Sequence, residues 1–292
     1  MTLKFLFKIL ILGLFALSCR PETETLWLEE AESCACQTAE GLSPAYRYNK
    51  GPLKGQCLDH CKVRPVRQTG PKHFSDIGHR GEFWQGQYDL DQLENVYVLF
   101  DRFAPKLNHV ALIFMFKTPS VALTHETKGH ESSDFGFVLS PEAMPTTTHS
   151  YQLTAAFRGS YALAYRAYSL EQYIQNSIEL NYELKKYRLN ISPEHQKNLL
   201  TLLTSKLGVE QLTTPYHLLS QNCATSVLDA LLDSKNPGQS SGQFYWNLLD
   251  PLRGLPFEFL GTKRSLNWWD LVDPEEIILY SPDLISKSKI KN

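Results

Sequence analysis

The chain has 292 residues, 42% of them hydrophobic and 12% aromatic, which is enough apolar material for one sizeable domain with a smaller appendage and excludes a disordered chain. A formal net charge of −2, with basic residues scattered except in the tail Lys287 to Lys291, gives no field to gather a polyanion, so nucleic-acid binding is set aside. No Gly-rich phosphate loop and no His-x-x-x-His pair occurs, so neither a cofactor nor a metal is expected in the chemistry.

The first residues, MTLKFLFKILILGLFALSC, set Lys4 and Lys8 in an apolar run that leads through small residues to a cysteine. This is the pattern of a bacterial export signal, too short to span a membrane comfortably. Ala16, Leu17, Ser18 and Cys19 resemble a lipobox, the motif cut before a cysteine that has received diacylglycerol; ordinary signal cleavage nearby is the alternative. With the lipobox, residues 1–18 are the signal peptide, Cys19 carries the lipid, and the mature chain is anchored in the cell envelope facing the periplasm. No later run approaches the length of a second membrane segment.

Export sorts the remaining cysteines. Cys34, Cys36, Cys57 and Cys61 lie within one short span and suit two disulfides in an oxidising compartment, with a four-thiolate zinc site as the alternative, while Cys223 is left over far along the chain. Residues 19–72 are read as a Cys-rich N-terminal region, residues 73–285 as the main domain and residues 286–292 as a basic tail.

The regular pattern begins near Phe74. Leu93 to Phe103 is rich in β-formers, and after Ala104-Pro105 the run from His109 to Phe116 reads as a second buried strand. The polar stretch THETKGHESS reads as a loop. Asp134 to Leu139 is then a strand that returns beside the second one and is ended by Pro141 and Pro145. Ser169 caps a helical turn with Gln172 as its capping-box partner. The alternation of Ile178, Leu180, Tyr182 and Leu184 with polar residues predicts a strand, helix being the alternative. Ser192, Pro193 and Gly208 bracket the clearest helix, Pro193 to Leu207. The aromatic stretch FYWNLLDPLRGLPFEFL and the later LNWWDLV read as irregular packing over the core.

The sequence is organised around YHLLSQNCATSVLDALL, Tyr216 to Leu232. Ala224, Val227, Leu228, Leu231 and Leu232 form one apolar face of a helix that starts at Cys223, with Ser220 and Asn222 both able to cap it. A cysteine on the first turn meets unpaired N–H groups and the positive end of the helix dipole, which favour thiolate and hence a nucleophile. A small buried core residue is the bland alternative. A nucleophilic thiol needs a base, and of nine histidines His109 stands out, because an imidazole at the entry of an apolar strand is costly unless bonded or used. The residue that orients it is left open among His125, His130, Asp134 and Ser140. For the oxyanion, the Cys223 backbone N–H is the natural donor, with Gln221 and Asn222 as side-chain candidates.

The segments PKLNHVALIFMF, then FRGSYALAYRAYSLEQYIQNSIELNYELKKYRLNISPEHQKNLLTLL, then YHLLSQNCATSVLDALL resemble, in order and spacing, the Lnb N-terminal periplasmic domain family. The resemblance implies an α+β, circularly permuted papain-like (NlpC-like) domain with an antiparallel sheet packed on the cysteine helix. It places His109 and Cys223 on the family's histidine and cysteine and implies lipoprotein N-acylation, in which the thiol takes an acyl chain from phospholipid and passes it to an amine. Expected partners are therefore membrane lipid, through the anchor, and a lipid or lipoprotein substrate. The leading expectation is a cysteine-dependent acyltransferase or thioesterase. The alternatives are a cell-wall peptide amidase of NlpC type and a non-catalytic envelope lipoprotein, whose Cys223 sulfur would be buried or more than about 5 Å from His109.

Overall fold

A computed structural model of the chain describes residues 26–34, 45–58, 62–104, 107–207, 212–235, 265–267, 270–273 and 277–280. The signal peptide, Cys19, Cys36, Cys61, Gly208, the stretch FYWNLLDPLRGLPFEFL and the basic tail lie outside the described residues.

Two short strands, β1 (Leu28–Glu30) and β2 (Tyr46–Tyr48), pair antiparallel into a sheet of their own. A disulfide joins Cys34 to Cys57 beside them, with Cα atoms 5.4 Å apart, so these two sulfurs are bonded to each other and not to zinc. This small unit is not detached. Leu28, Tyr46, Tyr48 and Leu58 share a buried cluster with Met144, Tyr161 and Tyr216, and the Tyr48 hydroxyl donates to the Met144 carbonyl while accepting from Ala162 N–H at 2.9 Å.

The main sheet begins before residue 73. β3 (Arg67–Gly70) pairs with β4 (His73–His79) across the expected boundary between the N-terminal region and the main domain. β4 turns into β5 (Glu82–Tyr88) through Arg80 and Gly81, whose φ angles of 51° and 78° are those of a type I′ hairpin. β6 (Leu93–Ala104) and β7 (Leu107–Phe116) then form a long antiparallel pair, as their β-branched and aromatic content predicts. THETKGHESS is not a plain loop, since it contributes to the hairpin of β8 (Val121–His125) and β9 (Glu131–Asp134).

β10 (Gly136–Ala143) returns beside β7 as expected, but Pro141 does not end it. The register to β7 stops at Leu139, while pairing to β11 (Tyr161–Ser169) runs on to Ala143. Past Leu139 the β7 side of the strand therefore makes no ladder, and a residue without an N–H is accommodated. β12 (Glu183–Arg188) covers β6, and β13 (Pro215–Tyr216) and β14 (Ile277–Tyr280) add to β11 and β12. Among the described residues the order across the sheet is β14-β12-β6-β7-β10-β11-β4-β5-β8-β9, with the β11–β4 joint parallel.

Helices α1 (Leu153–Phe157), α2 (Leu170–Glu179), α3 (Pro193–Ser205) and α4 (Cys223–Lys235) complete the fold. Ser169 Oγ accepts from Gln172 N–H at 3.2 Å and starts α2, yet the Gln172 side chain turns away to Gly81 N–H, so only half of the capping box forms. The strand expected from Ile178 is corrected: α2 runs to Glu179, Ile178 and Leu180 are exposed, Asn181 takes a left-handed φ of 58°, and the strand begins only at Glu183. Alternation there came from a helix end followed by a turn. Ser192 caps α3 by accepting from His195 N–H, with Pro193 at the first position, as the sequence predicts.

The helices cover both faces of the sheet. Leu199, Leu200, Leu203 and Leu207, with Val227, Leu228 and Leu231 of α4, pack on Val98, Phe100, Val110, Leu112 and Phe114. Each such side chain, fully buried, contributes about 1.5 to 3 kcal/mol. On the opposite face Tyr173 of α2 packs with Tyr168 on Leu99, Ala111, Ile113 and Leu184. The result is an α+β fold that is mostly sheet. No helix of the described residues is long and apolar enough to cross a membrane.

Candidate functional site

Helix α4 is started by Asn222. Its Oδ1 accepts from Ala224 N–H at 2.8 Å and Thr225 N–H at 3.1 Å, and its Nδ2 donates to the Leu218 carbonyl at 2.6 Å. Ser220 is not the cap, because its hydroxyl meets His217 Nδ1 in the turn before the helix. The cap fixes Cys223 on the first turn, against the N-terminal part of β7. Cys223 is the free cysteine of the described residues and is 3% exposed.

The His109 imidazole hydrogen-bonds the Cys223 sulfur, so strand and helix bring together the two groups that the sequence singled out. Burial opposes charge on both. The opposite charge of each partner outweighs it: the imidazole is pushed up from its ordinary 6.5 to about 9, and the thiol is pulled below its ordinary value by the imidazolium and by the backbone N–H groups of Val110 and Ala224. Both shifts favour the charged thiolate–imidazolium form of the pair over the neutral one.

Of the four residues left open as the orienting group, the geometry selects Ser140. Its Oγ lies 2.6 Å from His109 Nε2, which leaves Nδ1 as the ring nitrogen for the sulfur. His125 pairs instead with Glu82, Asp134 turns back onto the backbone of Phe135, and neither they nor His130 line the cavity at Cys223. Ser140 is in turn bonded to the Glu142 carboxylate, which accepts from Arg166 Nη1 at 2.9 Å and from the Tyr168 hydroxyl at 3.2 Å. Arg166 holds that carboxyl below the ordinary range despite its burial. The sequence reading missed this chain of contacts. It depends on register, since Ser140 and Glu142 face Arg166 and Ala164 across the β10–β11 pair.

The side-chain oxyanion candidates are corrected. Asn222 is fully buried with its carboxamide committed to the helix cap, and Gln221 is exposed and absent from the cavity wall. Tyr216 lies in the cavity wall near the sulfur instead. Its hydroxyl is held protonated by burial and by the charge of the nearby Cys223, and it donates its hydrogen bond to Tyr151.

The His109–Cys223 pair opens on a cavity of about 690 Å³. His109, Cys223, Glu142, Arg166 and Tyr216 lie in its wall, with Val63, Phe103, Pro145, Leu180 and Leu218 among its apolar part. Among the described residues no group of three or more His, Cys, Asp or Glu could hold a metal ion. In a comparison with protein families, the model described as the Lnb N-terminal periplasmic domain matches residues 80–252. No curated protein and no solved structure matches the chain.

Proposed function

Because the chain belongs to the Lnb N-terminal periplasmic domain family, we propose that it is a cell-envelope thiol acyltransferase or thioesterase acting on lipid acyl groups, in which Cys223 carries the acyl group and His109 moves the proton. The observation that carries this reading is the contact of Cys223 with His109, each favouring the charged form of the other, in the wall of a largely apolar cavity. An acyl ester entering the cavity presents its carbonyl carbon to the sulfur. The C–S bond forms, and the oxyanion meets the Cys223 backbone N–H at the positive end of α4. On collapse the leaving alkoxide takes the proton of the His109 imidazolium, and the thioester remains. Neutral His109 then accepts a proton from the attacking water or amine as the thiolate departs. Ser140, backed by Glu142 and Arg166, holds the imidazole ring in place meanwhile.

The order of histidine strand before cysteine helix in a mostly antiparallel sheet supports a permuted papain-like relationship. The lipobox at Ala16 to Cys19 supports a lipid anchor, and membrane lipid or a lipoprotein is the partner such an anchor brings close. The non-catalytic reading has one point in its favour, the 3% exposure of Cys223. Against it stand the contact with His109 and the cavity that the sulfur lines.

Incubation with phospholipid followed by intact-mass and peptide mass spectrometry tests the proposal. An acyl adduct on Cys223 is expected, and it should vanish in Cys223→Ser and His109→Ala. Adduct formation undiminished in either variant overturns the assignment. Muropeptide release, assayed beside phospholipid consumption, separates this activity from an NlpC-type amidase.

A further inference from the structure

Several apolar side chains left on the surface gather at one edge of the cavity. Tyr151, Leu153, Phe157 and Leu219 are each 38% to 45% exposed. Leu153 and Phe157 stand four residues apart on α1 and so share one side of it. Leu218 N–H donates to the Ala156 carbonyl at 3.1 Å, which holds Leu219 beside that helix. Tyr151, two residues before α1, stacks on Tyr161 and lines the cavity, as Leu218 does. The four exposed side chains thus form an apolar face that runs up to the cavity wall. Leu180, 59% exposed, belongs to the same wall, so the mouth is apolar on the α2 side as well. Exposed apolar surface grouped in this way marks a contact site.

Two observations say what covers it. The first is charge. Residues 150–160 and 217–221 contain no acidic residue and, apart from His217, one basic residue, Arg158. A partner that docks by ion pairs finds almost nothing to pair with there, whereas an apolar face with one arginine suits the boundary between acyl chains and phosphate headgroups. The second is where the chain enters the fold. Trp27 N–H donates to the Leu212 carbonyl at 2.7 Å, and Leu26 and Trp27 pack on the cluster that holds Ala156, Leu212 and Leu218. That cluster underlies α1 and the Leu219 turn. Cys19 stands seven residues before Leu26, a reach of at most about 25 Å. A lipid on Cys19 therefore brings the bilayer to this side of the molecule.

We propose that the face made by Tyr151, Leu153, Phe157 and Leu219 seats on the surface of a phospholipid bilayer, so that the cavity opens at the lipid boundary. The side chains enter the headgroup and upper acyl region without crossing the membrane, and their burial there removes from water the apolar surface that the fold leaves uncovered. The inference takes from the proposal above the anchor at Cys19, and it does not depend on any reaction at Cys223.

The mature chain from residue 19 to residue 292 bearing Cys19→Ser takes no lipid, so any membrane binding it shows belongs to the face. It should cosediment with phosphatidylcholine vesicles and do so at high salt too, because the contact is apolar. Leu153→Asp combined with Phe157→Asp should weaken that binding about tenfold or more. Phe135→Asp changes a side chain that is 52% exposed at the opposite end of β10 from the cavity residue Glu142, and should leave binding unaltered. No binding by the Cys19→Ser chain, binding abolished by salt, equal binding after the double substitution, or an equal loss with Phe135→Asp overturns the proposal. Should the double variant fail to fold, vesicles should still slow deuterium exchange at residues 153–158 and 217–221 of the Cys19→Ser chain; unchanged exchange there overturns it. Self-association without vesicles that the double substitution abolishes would make a second copy the occupant, and overturns it as well. Vesicle binding retained in Cys223→Ser, with no acyl adduct on Cys223 of the wild type, refutes the acyl-transfer reading and leaves the docking face standing.

Discussion

Replacing His109 with glutamine should raise the Cys223 thiol, because the imidazolium is the largest influence that favours its ionisation. The imidazole titrates at about 9 against an ordinary 6.5, although burial drives it the other way. That difference of about 2.5 units, at about 1.36 kcal/mol per unit, is a net preference of roughly 3 kcal/mol for the imidazolium. Cys223 is the largest favourable cause, with Glu142 and Asp101 supplying the remainder. Coupling between two sites is reciprocal, so the imidazolium stabilises the thiolate by the same amount as the thiolate stabilises the imidazolium. With most of that preference belonging to the pair, the variant loses up to roughly 3 kcal/mol of thiolate stabilisation and its thiol ionises at higher pH. The ultraviolet absorbance of the thiolate, followed from about pH 5 to 10, reads this directly, and the rate of labelling by methyl methanethiosulfonate reads it independently. Glutamine keeps a hydrogen-bonding side chain of similar reach, so a loss of packing is not confused with a loss of charge. Superimposable titrations of variant and wild type would show that the start of α4 alone ionises the sulfur, and the paired mechanism would fall.

Three further outcomes are expected. Acylation of Cys223, measured as kcat/KM, should fall as pH rises through about 9, because the imidazolium that protonates the leaving group is lost there; a rate that stays level to about pH 10 contradicts the role given to His109. The same sign holds for folding: a value raised above 6.5 contributes stability that is full below about 6.5 and disappears as pH climbs through about 9, visible as a declining denaturant midpoint. Glu142→Gln should lower kcat about tenfold with KM nearly unchanged, because it loosens Ser140 and His109, and should cost about 3 kcal/mol of stability by leaving Arg166 without its carboxylate; a change confined to KM would mean that Glu142 touches substrate instead. Asn222→Ala should cost about 1 to 2 kcal/mol, read as a shifted urea midpoint at constant slope, since α4 loses its cap.

The two residues at the centre of the site were legible because each violates its surroundings. His109 puts an imidazole in an apolar strand, and Cys223 stands unpaired in an exported chain at the start of a well-marked helix. Local signals also placed β6, β7, α3 and the Ser169 cap, all of which rest on short-range rules of alternation and capping. What stayed hidden depends on register. Ser140 could not be chosen over His125, His130 or Asp134, because only the antiparallel match of β10 with β7 brings its hydroxyl under the imidazole. Glu142 sits one residue past Pro141, in what reads as the end of a strand. Asp101 did carry a signal, an acid inside LENVYVLFDRF, and the cost of burying it could have marked it. The β4–β5 hairpin was missed because its turn is Arg-Gly, with arginine in the left-handed region where asparagine or glycine is the usual cue. The Asn222 error has a different origin: a helix cap and an oxyanion donor call for the same residue types at the same place, and the cap takes precedence because the N–H groups it satisfies are buried.

The near-complete burial of Cys223 has a consequence for survival in an oxidising compartment. A thiol in a chain that also carries a disulfide is at risk of exchange, which requires a second sulfur to approach it in line. A sulfur borne on another protein has little access to a side chain only 3% exposed, whereas a small molecule can enter the cavity of about 690 Å³ that this side chain lines. The fold thus selects by cross-section what reaches the thiol, holding off bulky sulfur partners while admitting slender molecules.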